Sequence, residues 1–199
     1  MNARAEGLIL APGAGAGRDQ SGLVAIDEAA VRSGVVAERI QFPNRDAGSR
    51  RPDIPAACIA RIRHAATELA DDLGVAASRI AVGGRSFGGR MCSMAVAQGM
   101  ETAALVLVSY PLHPPGKPDR LRADHFGSLA VPCLFVSGRR DALASPAELA
   151  REVAAIPGPV TLEFVDGDHS LRRAEEQVAE LVADWLSGGG AHGAPCDSH

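Results

Sequence analysis

Six short, almost unbroken apolar runs constrain this 199-residue chain more than any other feature; they fall at 8–11, 38–42, 79–82, 104–109, 132–137 and 160–165. Strands half exposed to solvent alternate apolar and polar residues, whereas strands of a parallel sheet are covered on both faces and read as continuous apolar segments. The runs therefore predict an α/β domain with a mostly parallel six-stranded sheet and helices on both faces. One domain is expected over 1–187, with a flexible glycine-rich tail over 188–199.

Helical periodicity fills the intervals. Ile59, Ile62, Ala66, Leu69 and Leu73 recur every three or four residues and form one stripe, which Gly74 terminates. Ser145, Pro146 and Glu148 spell a capping box with proline in the first turn, opening a helix with Leu149, Val153 and Ile156 inward. A last helix presents Val178, Leu181, Val182 and Trp185, with Trp185 expected in the core. Two segments fit neither pattern. The arginine-rich stretch 44–55 reads as an exposed loop, and the proline-rich stretch 110–117 cannot be helical.

Charge and composition exclude several function classes. Twenty basic against 24 acidic residues give a net charge of −4, so the chain lacks the bulk basic field of a nucleic-acid binder. No run approaches the roughly 18 apolar residues of a spanning helix, and residues 1–7 lack the apolar core of a secretory signal. No membrane partner and a cytoplasmic location are expected. Cys58, Cys92, Cys133 and Cys196 have no metal-ligand spacing and read as free thiols, with no metal or cofactor implied.

The third apolar run leads into Gly83-Gly84-Arg85-Ser86-Phe87-Gly88-Gly89, which contains GxSxG. A serine in a sharp strand-to-helix turn is exposed for attack, and glycines two residues to either side let neighbouring backbone approach. A serine nucleophile needs a base and an acid that orients the base. Asp141 follows the fifth run within a tight turn, and His169 follows the sixth, just before the last helix. All three side chains thus belong at the carboxyl edge of the sheet. Asp166 and Asp168 compete for the acid's role but read as turn residues of the histidine loop. The backbone N–H groups of Phe87 and Ala14, the latter in the glycine-rich loop after the first run, are the candidate oxyanion donors. That loop lacks the lysine and hydroxyl residue of a P-loop and the third glycine of a dinucleotide fingerprint.

Five segments carry a resemblance: APGAG at 11–15, GGRSFGGR at 83–90, SYPLHPPGKP at 109–118, LFVSGRRD at 134–141 and GDHSL at 167–171. Together they make the chain similar to the α/β-hydrolase superfamily, related to dienelactone hydrolases. More narrowly, it resembles a group containing bacterial hydrolase-like proteins, testis-expressed hydrolase-like proteins and a regulatory subunit of the NSL histone-acetylation complex. The resemblance implies a Ser, Asp and His triad on Ser86, Asp141 and His169. It departs from the group at Pro12, where a histidine is usual, and from dienelactone hydrolases proper at Ser86, where they use cysteine.

The expected activity is hydrolysis of a small carboxylic ester or thioester through an acyl-enzyme on Ser86, with Arg85 and His113 as candidate substrate contacts; the alternative for Arg85 and Arg90 is to anchor the 109–118 loop by hydrogen bonds to carbonyls or carboxylates, and for His113 a structural place in that loop. The chain reads as minimal and lidless, with Leu112, Leu121, Phe126 and Leu129 available as one shallow wall. The alternative is a non-catalytic hydrolase-fold module that binds a protein partner.

Overall fold

A computed structural model describes residues 5–49 and 53–188. The chain runs β1 (Gly7–Ala11), α1 (Ser21–Arg32), β2 (Val36–Arg39), α2 (Pro43–Asp46), α3 (Pro55–Leu73), β3 (Ile80–Arg85), α4 (Phe87–Ala97), β4 (Leu105–Val108), β5 (Cys133–Gly138), α5 (Pro146–Val153), β6 (Val160–Val165) and α6 (Glu175–Leu186). The six strands form one sheet in the order β2-β1-β3-β4-β5-β6, and every neighbouring pair is parallel.

The continuous apolar runs are explained by two cores, one on each face. Ile9, Leu105, Leu107 and Phe135 point to the side covered by α3, α4 and α5. Their neighbours Leu8, Leu10, Val106 and Leu134 point to the side covered by α1 and α6. Period-two alternation therefore persists, but both phases are apolar because both faces are buried. Gly74 ends α3 in the left-handed region at φ 65°, and the Ser145–Glu148 capping box opens α5. Among the described residues no helix is long and apolar enough to cross a membrane.

Several boundaries differ from the expectation. β2 lies at 36–39 rather than 38–42; Ile40 and Phe42 lie beyond the strand and are buried against the α3 side of the core. The stretch 44–55 is not simply an exposed loop. Asn44 sits buried in the short helix α2, where its N–H donates to Asp53 Oδ2 at 2.7 Å and its side-chain amide to the carbonyl of Ser49. Residues 50–52 and the tail from 189, including Cys196, lie outside the described residues. Trp185 is only partly buried at the margin of the second core, with its indole N–H donating to Thr161 Oγ1 at 2.9 Å. The supposed shallow wall is absent as such: Leu112, Phe126 and Leu129 are fully buried in the core, and Leu121 faces solvent.

The order of strands also positions the site. From β1 the chain passes to β2 on one side and then returns to place β3 on the other. The carboxyl ends of β1 and β3 thus flank a topological switch point, where open α/β sheets form their crevice.

Candidate active site

Ser86 occupies the turn between β3 and α4 at φ 52° and ψ −114°, a conformation that L-residues adopt only under constraint. The constraint comes from close backbone packing. A Cβ on Gly84 would stand 2.2 Å from the carbonyl oxygen of Ala11, and one on Gly88 would meet the same oxygen at 2.2 Å. These two glycines let the end of β3 and the first turn of α4 press against β1 and its following loop. Ser86 N–H donates to the carbonyl of Val108, which ties the turn to β4.

The loops after β5 and β6 are stitched together beyond the strands. Arg139 N–H donates to the carbonyl of Val165 and Arg140 N–H to that of Gly167. Gly138 permits this approach, because a Cβ there would lie 2.5 Å from the Gly167 oxygen. The result brings Asp141 to His169. His169 Nδ1 lies 2.8 Å from Asp141 Oδ2 and 3.0 Å from Oδ1, and its Nε2 lies 2.9 Å from Ser86 Oγ. A carboxylate only accepts, so Nδ1 carries the hydrogen and Nε2 offers a lone pair to the Ser86 hydroxyl.

Burial is graded along this chain of three. The Asp141 side chain is wholly buried, whereas that of His169 is 27% exposed. Asp141 Oδ1 also accepts the N–H of Leu143 at 2.8 Å, which fixes the carboxylate plane. The competing carboxylates are engaged elsewhere. Asp166 pairs with Arg140 at the surface. Asp168 accepts from the hydroxyl and N–H of Ser170, which hold its carboxyl below the usual range.

Arg85 and His113, read from the sequence as substrate contacts, are turned inward. Arg85 Nη2 donates to the carbonyl of His169 at 2.8 Å, behind the imidazole. Burial pushes the Arg85 guanidinium down from its ordinary range, and the charges of Glu175 and Asp141 oppose that effect. His113 is 5% exposed, and its Nδ1–H donates to the carbonyl of Pro114 at 3.0 Å. Its backbone N–H reaches the carbonyl of Leu143, so it braces the segment that holds Asp141.

In the glycine-rich loop, Gly13 N–H donates to Gln20 Oε1 at 3.1 Å and Ala16 N–H to the carbonyl of Gly13. Ala14 is exposed in the turn between them. Phe87 opens α4, so its N–H has no acceptor within the helix. Its ring stacks edge-on against Phe42 at 5.8 Å. Gln20, Leu143 and Gly138 were not singled out by the sequence. Nothing in local pattern marks them: Leu143 acts through its main-chain N–H, Gly138 by lacking a side chain, and Gln20 through a side-chain contact set by the curl of the loop.

Residues 4–186 match the family model described as alpha/beta hydrolase domain. Among solved structures, one from Xanthomonas campestris assigned to the alpha/beta hydrolase superfamily is 25% identical, with a TM-score of 0.69 over 92% of this chain and 98% of that one. An alpha-beta serine hydrolase homologue from Coxiella burnetii is 20% identical with a TM-score of 0.74, covering 92% of this chain and 85% of its own. A dienelactone hydrolase from Anabaena variabilis is 18% identical with a TM-score of 0.74, covering 92% and 86%. With this sheet order, this elbow and a family match across nearly its whole length, the chain belongs to the alpha/beta hydrolase domain family.

Proposed function

We propose that this protein is a serine hydrolase that cleaves a small carboxylic ester or thioester through an acyl-enzyme on Ser86. The observation that carries the reading is the continuous hydrogen-bonded chain from Ser86 Oγ through the imidazole of His169 to the buried carboxylate of Asp141. Ser86 Oγ attacks the substrate carbonyl while His169 Nε2 takes its proton. The imidazolium that forms lies against the Asp141 carboxylate, which stabilises it and holds the reactive tautomer. His169 then gives the proton to the leaving alcohol or thiol. Water repeats the sequence on the acyl-enzyme, releasing the acid and restoring Ser86.

The tetrahedral oxyanion needs two N–H donors. Phe87 supplies one, at the head of α4, where its N–H has no acceptor within the helix. In the loop after β1, Pro12 has no N–H and that of Gly13 is taken by Gln20, which favours Ala14 as the second. Arg85 positions the histidine loop. The pairing of GGRSFGGR with YPLHPPGKP supports a place near the testis-expressed and NSL-subunit-like group within the family.

Hydrolysis of a panel of nitrophenyl esters and acyl thioesters by the purified chain, with fluorophosphonate labelling of Ser86, tests this reading. Turnover that vanishes in Ser86→Ala supports it. Absence of turnover on every ester and thioester, with Ser86 unreactive, supports instead the module that binds a partner without catalysis.

A further inference from the structure

A second concave site lies on the outer flank of α4, away from Ser86, Asp141 and His169. It has a volume of about 310 Å³ and is lined by Arg90 and Met94 of α4, by Gln98 just beyond that helix, and by Arg122, Asp124 and His125 of the segment that crosses it. Its size is that of a small-ligand site.

The charge inventory of this cleft is one-sided. Among the described residues neither Arg90 nor Arg122 forms an ion pair. Arg90 Nε is buried with no hydrogen-bond partner, and its guanidinium lies beside the Tyr110 hydroxyl, which itself donates to the carbonyl of Arg122. Burial, followed by the charge of Arg90, pushes the Arg122 guanidinium down, and the same two causes push His125 down. Among the described residues Asp124 is the one acidic residue in the lining, and it is exposed. Burying cations without a counter-charge is costly, and a guanidinium presents paired donors that match the oxygens of phosphate or carboxylate.

Beneath the cleft, His125 of its lining makes a second serine–histidine contact, Ser93 Oγ to His125 Nε2 at 2.7 Å. It is not a second nucleophile, because Ser93 is fully buried within α4 and its hydroxyl donates to the carbonyl of Arg90. With that hydrogen committed, the Nε2–H of His125 fills the serine lone pair, leaving Nδ1 able to take up a proton when negative charge arrives.

We propose that this cleft is a binding site for an oxyanion, the phosphate or carboxylate end of a small metabolite, held by the guanidinium groups of Arg90 and Arg122 with His125 beside them. The cleft volume leaves room for the rest of such a molecule. The site is independent of the hydrolase chemistry and stands or falls separately from it.

Titration of the purified full chain with inorganic phosphate at constant ionic strength tests the site, by calorimetry and by backbone amide NMR. The expected result is saturable binding with a Kd of about 1 mM or tighter. Amide shifts should concentrate at 121–128 and in the second half of α4. Arg122→Gln should weaken binding at least about tenfold, while the surface variant Arg140→Gln should bind like the parent. Acetate in place of phosphate distinguishes the two sources of oxyanion. No saturable binding of either anion, equal binding by Arg122→Gln, or shifts confined to Gly13–Gly17 and Phe87 would each overturn the proposal. The NMR map on the parent protein gives an answer even where Arg122→Gln does not fold.

Discussion

Arg85 reaches across the carboxyl edge of the sheet to His169, its Nη2 donating to the main-chain carbonyl of that residue at 2.8 Å. The residue immediately before the serine thereby anchors the loop of the histidine. Because the guanidinium is largely buried, removing it leaves that carbonyl without its donor and frees the loop to move. Arg85→Met should lower kcat by about 10- to 100-fold with little change in KM, since a displacement of an ångström at the base suffices for a loss of that size. Arg85→Lys should restore part of kcat. A rise in KM restricted to anionic esters, with kcat intact, would return Arg85 to the role of substrate contact.

The three hydrogen-bonded side chains should behave as one unit. Ser86→Ala and His169→Ala should each reduce ester turnover by several orders of magnitude, and the double variant should be scarcely worse than either. Asp141→Asn should also be severe, because an amide cannot stabilise the imidazolium and favours the wrong tautomer. Asp168→Asn should cost little, since Asp168 is exposed and turned to Ser170. Steady-state kinetics of the five proteins decide the assignment, and a larger loss for Asp168→Asn than for Asp141→Asn would reassign the acid.

The capping box of α5 gives a stability prediction with a pH signature. Ser145 Oγ and N–H both donate to Glu148, and the hydroxyl first, then the N–H, hold that carboxyl below its usual range. A carboxylate depressed in the folded state contributes stability above its unfolded pKa and loses it as the pH falls through the folded value. Ser145→Ala should cost about 1 kcal/mol at neutral pH. Thermal melts should show the gap between variant and parent narrowing below about pH 4, as Glu148 becomes protonated. A constant gap across that range would mean that the carboxylate is not involved.

None of the described thiols should compete with Ser86 as a nucleophile. Burial pushes Cys58 up to about 11 and Cys133 up to about 12, and it pushes Cys92, which is fully buried, higher still. Nucleophilic attack requires thiolate, so all three should resist iodoacetamide in the native protein and react only on unfolding. Mass-spectrometric mapping of the alkylated peptides checks this. Labelling of native Cys92 together with loss of activity would contradict it.

Much of this architecture could be read from residue order, and the failures have physical causes. Buried central strands advertise themselves because both faces are apolar, as in Leu105–Val108. The edge strand β2 does not, since Val36 is 45% exposed while Ile40 and Phe42, beyond the strand, are buried. Gly83 and Gly84 lie past the end of the third apolar run, yet both belong to β3, where the adjoining strands leave no space for a side chain. Ser86, Asp141 and His169 could be picked out because each follows a strand that local pattern reveals. The partner that Arg85 takes, the His169 carbonyl rather than the 109–118 loop, and the burial of Leu112, Phe126 and Leu129 depend on packing between distant segments, which no local pattern encodes.

That burial sharpens the substrate prediction. With Leu112, Phe126 and Leu129 committed to the core, the segment after β4 does not offer the apolar wall that a long acyl chain would need. Nitrophenyl esters should show falling kcat/KM as the acyl chain lengthens, with no jump in rate on emulsified substrate. Preference for long chains, or interfacial activation, would require an apolar lining at Ser86 from other residues.

Labelling with a fluorophosphonate probe tests the central claim most directly, because only a serine activated by its base reacts at a useful rate. The account predicts stoichiometric modification of the native protein at Ser86, lost in Ser86→Ala and strongly slowed in His169→Ala. A native, folded protein that stays unlabelled at Ser86 would contradict it.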